Sequence, residues 1–129
     1  MTPNARTTVM VVDDDRHLLT TVTDFLQFEG YEVITAANGK EALAALETSH
    51  PDIILLDIMM PGMDGGDVAQ AIRARPALRD IPIIFATAAV SKSEERLHDG
   101  HIGGESFLAK PFRLDELTMR IQEALPTAE

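Results

Sequence analysis

The sequence predicts an α/β fold: a five-stranded parallel sheet with helices on both faces. Three observations carry this expectation. Five short, β-rich apolar runs alternate along the chain with segments of helical periodicity. The strongest of those runs are continuously apolar, as expected of strands covered on both faces. No linker, internal repeat or low-complexity tract marks off a second domain.

Thr8-Val9-Met10-Val11-Val12 is the first strand. Leu18, Leu19, Val22, Phe25 and Leu26 then form one helical stripe, which Gly30 ends. Tyr31 to Thr35 is a second, weaker strand. Asn38 is placed to cap a helix holding Ala42, Leu43 and Leu46. Asp52 to Leu56 is the third strand and the most β-like. Asp64 caps a helix containing Val68, Ala71 and Ile72. Ile81 to Ala86 is the fourth strand, with Pro82 near its start, where a missing N–H matters least. Ser91 to Leu97 reads as a fourth helix, but Gly100, Gly103 and Gly104 follow closely. Interior glycines cost about 1 kcal/mol each relative to alanine, so this helix is expected to be short or mobile. Phe107-Leu108-Ala109 is a short fifth strand. Leu114, Leu117, Ile121 and Leu125 give the last helix its buried face, and Pro126 closes it.

Composition narrows the function classes. A chain of 129 residues suits one domain able to build a core without staples. The expected organisation is a flexible lead over 1–7, one domain over 8–125 and a tail over 126–129. With no cysteine, disulfides, thiolate metal sites and a cysteine nucleophile are excluded. That is compatible with a reducing, cytoplasmic location. No apolar run approaches the ~20 residues needed to span a bilayer, and Met1 to Thr8 has no signal-peptide core. A net charge of −10 disfavours direct contact with nucleic acid and fits partners that are proteins or cations.

In a sheet of this kind, ligands bind beyond the carboxyl ends of the strands, near the switch in strand order. Those ends carry Asp13, Asp14 and Asp15 after strand one, Asp57 after strand three, Thr87 after strand four and Lys110 after strand five. Carboxylates gathered at one crevice repel one another unless a cation compensates. A hard divalent ion such as Mg²⁺ suits few carboxylates and retained waters. Lys110 adds a point charge and Thr87 a hydroxyl. Such an assembly suits phosphoryl transfer to a carboxylate, and Asp57, at the end of the most apolar strand, is the best nucleophile. Each residue alone has an ordinary reading. The Asp13–Asp15 run can cap a helix, Met60-Pro61-Gly62 can be a plain turn, and threonines in strands and solvated lysines are common. The four positions gathered at one end of four strands make coincidence a poor account. His17, His50, His98 and His101 show no metal-site spacing, and Met59, Met60 and Met63 read as core filling and loop packing.

Val11-Val12-Asp13-Asp14-Asp15, the run from Leu55 to Gly65 (LLDIMMPGMDG), Thr87-Ala88 and Phe107-Leu108-Ala109-Lys110-Pro111-Phe112 closely resemble the response-regulator receiver domains of two-component signalling. The resemblance covers about Thr8 to Leu125. It implies a flavodoxin-like strand order, 2-1-3-4-5. It also implies that Asp57 accepts a phosphoryl group from a histidine kinase or a histidine phosphotransfer protein. Asp14, Asp57 and the backbone carbonyl of Met59 would ligate Mg²⁺ (or Mn²⁺), and Asp13 would act through a metal-bound water. Thr87, with Ala88 beside it, and Lys110 would hold phosphoryl oxygens, and the Lys110–Pro111 peptide would be cis. Phe107 would turn inward as Thr87 moves, altering the face made by helix four, strand five and helix five for an unknown downstream protein. The resemblance leaves the chain a monomer or a phosphorylation-dependent dimer, and a switch rather than an enzyme, with at most slow self-dephosphorylation. No output domain follows Leu125, so action by protein contact is expected. Phe107 stands where many relatives have tyrosine, so no hydroxyl is there to bond the inward state. Two other readings stand beside this one. In the first, a small phosphatase uses a DxD motif, with Asp13 as nucleophile and Asp15 as general acid. In the second, the chain is an unphosphorylated interaction module of the same fold.

Overall fold

A computed structural model describes residues 7–88, 101–102 and 105–125. The elements run β1 (Thr8–Val12), α1 (Arg16–Phe28), β2 (Glu32–Ala36), α2 (Gly39–Ala45), β3 (Ile53–Asp57), α3 (Gly65–Arg73), β4 (Ile83–Thr87), β5 (His101–Ile102), β6 (Glu105–Ala109) and α4 (Leu114–Ala124). The sheet order is β2-β1-β3-β4-β6-β5. Its five long strands are parallel and follow the expected order, with β6 as the fifth parallel strand. The sequence reading missed β5, a two-residue strand antiparallel to β6. It is too short to show any periodicity of its own. The predicted helix over 91–97, the glycines at 100, 103 and 104, His98 and Pro126 lie outside the described residues.

Continuous apolar strands make a two-sided core. Val9, Val11, Ile53, Leu55, Ile84, Ala86 and Leu108 pack against Leu19, Val22 and Leu26 of α1 and Leu117 and Ile121 of α4. The alternate residues Met10, Val12, Ile54, Leu56, Ile83 and Phe85 pack against Ala42 of α2 and Val68, Ala69 and Ile72 of α3. This is the period-two division of a pleated strand between two helical layers. Each fully buried leucine or isoleucine contributes about 1.5–3 kcal/mol. No helix among the described residues is long and apolar enough to cross a membrane.

The helix starts are built by their own side chains. Asp15 accepts hydrogen bonds from the amides of His17 and Leu18 and so caps α1. Asn38 accepts from Glu41 N–H at 2.9 Å, and the Glu41 carboxylate reaches back to Ala37 N–H at 2.8 Å. Asp64 and Asp67 close a reciprocal capping box on α3. Glu116 reaches back to Arg113 N–H at the start of α4. Strand ends move by one or two residues from their expected places. Asp57 and Thr87 are the last residues of β3 and β4, the strand ends at which the sequence reading put them.

Candidate functional site

Register sets the geometry of the crevice. Val12 of β1 pairs with Leu56 of β3, so Asp13 and Asp57 come next on neighbouring strands at one level. Asp57 in turn pairs with Ala86 of β4, and Thr87 with Ala109 of β6. Lys110 follows directly, and its N–H donates to the carbonyl of Thr87 at 2.9 Å. Three adjacent strands and a fourth beside them therefore deliver acid, acid, hydroxyl and ammonium to one end of the sheet.

The Lys110 ammonium lies 2.7 Å from Asp13 Oδ2 and 3.5 Å from Asp57 Oδ2. The other Asp13 oxygen, Oδ1, accepts the Asp15 N–H at 2.9 Å. Asp57 Oδ1 accepts the Met59 N–H at 3.2 Å. Asp57 is only 4% exposed, Asp13 and Thr87 are also buried, and Asp14 stands exposed at the lip. Burial, and then the charge of Asp13, push the Asp57 carboxyl above its ordinary 3.8, against the opposing pull of Lys110 and the Met59 N–H. For Lys110, burial alone lowers the pKa. The hydrogen bond it donates to Asp13 and the charges of Asp13 and Asp57 outweigh that and leave it raised.

Asp13, Asp14 and Asp57 each offer an oxygen within 4.8 Å of the others. Oxygens on an octahedral Mg²⁺ lie roughly 3 to 4.2 Å apart, a range that falls inside this bound. An all-oxygen, all-anionic donor set fits a hard cation and no softer metal. Both Asp13 oxygens already hold protein donors.

The sequence-predicted residues thus converge, with three qualifications. Asp15 faces the helix: its carboxylate caps α1, which removes it as the general acid of a DxD phosphatase. The side chain of Met59 is 62% exposed and fills no core, whereas Met60 is buried and Met63 packs partly against the core. Ala88 is exposed and lines a groove beside Lys110, bounded by Leu18, Val22, Pro111, Phe112 and Leu114. The Lys110–Pro111 peptide is cis. Phe107 is half-buried and its ring stacks on Phe85 at 5.4 Å and 29°.

Sequence reading missed two contributors. One is the Met59 amide as a donor to Asp57, for which no side chain could have been a signal. The other is Gly65, whose N–H donates to Ile58 O at 2.9 Å. A Cβ there would stand 2.5 Å from the Asp57 carbonyl oxygen and 2.7 Å from Ile58 Cα. Only glycine lets α3 start this close to the strand that bears Asp57. Gly62, at φ +79°, makes the sharp turn between them.

Fold and crevice together define the signal-receiving modules of two-component regulators. The chain belongs to the response regulator receiver domain family, whose model matches residues 9–122. It is 38% identical over 121 residues to the probable transcriptional regulator ycf27 of Cyanophora paradoxa, covering 94% of this chain and 49% of that protein. The chain spans about half the length of the curated relatives it matches. The chemotaxis protein CheY4 of Vibrio cholerae superposes with a TM-score of 0.81 at 34% identity, covering 94% of this chain and 100% of that one. The response regulator TrrA of Thermotoga maritima, solved in complex with Mg²⁺–BeF, superposes with a TM-score of 0.74 at 35% identity, over 92% of this chain and 99% of that one. The chain is thus a phosphorylatable signal-transduction switch of this family, and the curated relatives it matches include transcriptional regulators.

Proposed function

We propose that Asp57 is the phospho-acceptor, loaded from the phosphohistidine of a histidine kinase or histidine phosphotransfer protein in the cytoplasm. The observation that carries this is the position of the Lys110 ammonium, within 3.5 Å of two carboxylates on adjacent strands. An Asp57 oxygen forms the new P–O bond while the donor P–N bond breaks, and the imidazole nitrogen keeps the electron pair. Lys110 and the Met59 N–H favour the ionised nucleophile. Lys110, released from Asp13, then pairs with a phosphoryl oxygen, and the Thr87 hydroxyl bonds another. Asp14, Asp57 and the Met59 carbonyl would hold Mg²⁺ or Mn²⁺, with Asp13 acting through a water. When bound, the ion neutralises charge on the transferring oxygens.

The output follows from a two-state choice. Phosphorylation draws Thr87 toward Asp57, and Phe107 turns into the space that Thr87 leaves. The outer face near β6 and α4 then differs between states, and a partner protein binds one of them. Self-dephosphorylation is at most slow in this reading.

The test is intact-mass analysis after incubation with a small phosphoramidate. One phosphoryl group is expected with Mg²⁺, none with a chelator, and the label should map to residue 57. A label on Asp13 instead sinks the assignment. Separately, Mg²⁺ at 100 times its dissociation constant is expected to stabilise the protein by about 2.7 kcal/mol, lost on chelation, as measured by urea unfolding.

A further inference from the structure

Arg120 is a partly buried cation that the site chemistry does not use. Its side chain is 11% exposed, whereas that of Arg113 at the other end of the same helix is 79% exposed. Its guanidinium donates to Ser106 Oγ at 2.9 Å and to the backbone carbonyl of Phe107. Nε also lies 3.9 Å from Glu123 Oε1 one turn along.

The carbonyl it engages has a particular place in the sheet. The Lys110 N–H points toward β4, where it meets Thr87 O. Backbone polar groups alternate sides along a strand, so the carbonyl of Phe107 points away from β4. On that side β5 pairs Ile102 with Glu105 and His101 with Ser106. The guanidinium thus supplies a charged donor to this carbonyl. A charged donor on a carbonyl away from bulk water holds tighter than a neutral one.

The two ends of this contact belong to different layers. The Phe107 ring packs on Phe85 and the core beneath α2 and α3. Arg120 springs from α4, whose Leu117 and Ile121 pack on the opposite face. We propose that Arg120 is a positioning residue that ties α4 to the backbone of Phe107, so that the last helix follows any readjustment of β6. The clamp stands on geometry alone; its use in signalling rests on Asp57 being the phospho-acceptor.

Two measurements on the full chain separate these. In Arg120→Leu without ligand, amide hydrogen exchange at Leu108 and Lys110 is expected to speed up by at least about tenfold while Val11 and Leu55 stay unchanged. Arg120→Lys, which keeps a charge and a donor, should restore much of the protection. Equal acceleration in all strands, or none in β6, overturns the clamp. The second measurement adds Mg²⁺ and beryllofluoride and follows the methyl group of Met119, exposed on α4. The wild type should shift both there and at the amides near Asp57. Arg120→Leu should keep the response near Asp57 and lose most of it at Met119. A full Met119 response in that variant, or none in the wild type despite shifts near Asp57, overturns the coupling. If no amide near Asp57 shifts in the wild type, the phospho-acceptor reading fails and the coupling with it, while hydrogen exchange still decides the clamp.

Discussion

Asp57→Asn is expected to take up phosphoryl at least about 1,000-fold more slowly than the wild type, because the amide has no anionic oxygen to attack phosphorus. The same substitution should make the metal-free protein more stable. In the wild type, burial and the neighbouring charge of Asp13 raise the Asp57 pKa in the folded state. A group with a raised folded pKa gives its full stability below its unfolded pKa and loses it as pH rises through the folded one. The two proteins should therefore unfold alike below about pH 3.8 and diverge as pH climbs, with the variant ahead. Above the folded pKa of Asp57 the gap should level off. Adding Mg²⁺ should reverse the order, since only the wild type keeps the full ligand set. Urea titrations at several pH values, with and without the ion, check all of this. A variant less stable than the wild type at neutral pH without metal would contradict the electrostatic account of the crevice.

Gly65→Ala is the second large effect. A methyl group here meets backbone, Asp57 O at 2.5 Å and Ile58 Cα at 2.7 Å, not the yielding end of a side chain. Either α3 backs away and loses the Gly65 N–H to Ile58 O bond, or β3 shifts and carries Asp57 with it. Overpacking against backbone costs about 1–3 kcal/mol, and displacement of the nucleophile costs activity as well. The variant should unfold at lower urea and phosphorylate more slowly even where it remains folded. Gly66→Ala is the internal control. Its nearest neighbour would be the Asp64 carboxylate oxygen at 3.3 Å, which can move. If both alanines behaved alike, the close approach at Gly65 would not matter.

The layered fold was legible because uninterrupted apolar strands such as Ile53 to Leu56 admit no solvent face. Helix starts were legible too, since Asn38 and Asp64 stand where an exposed amide needs an acceptor. The two-residue β5 was not, because pairing there depends on a partner strand and not on its own pattern. The acids, the threonine and the lysine could be read as strand-end residues, but their division of labour could not. Asp13, Asp14 and Asp15 are the same residue type in a row. Only the backbone path shows that the first bonds Lys110, the second faces solvent and the third caps α1. The exposure of Met59 and the burial of Arg120 were hidden for a related reason, because a long side chain can lie along a surface or leave it.

The caps of α1 and α3 carry one more implication. Asp15 and Asp64 have already claimed amides at the starts of α1 and α3. Among the described residues of the crevice, Lys110 alone sets a full positive charge against three carboxylates. An arriving dianion therefore meets a net repulsive field until a divalent ion has evened it. If Asp57 is the phospho-acceptor and magnesium its ion, such a device would work as an AND gate, answering only when donor and cation are present together, with a threshold that follows the free magnesium around it.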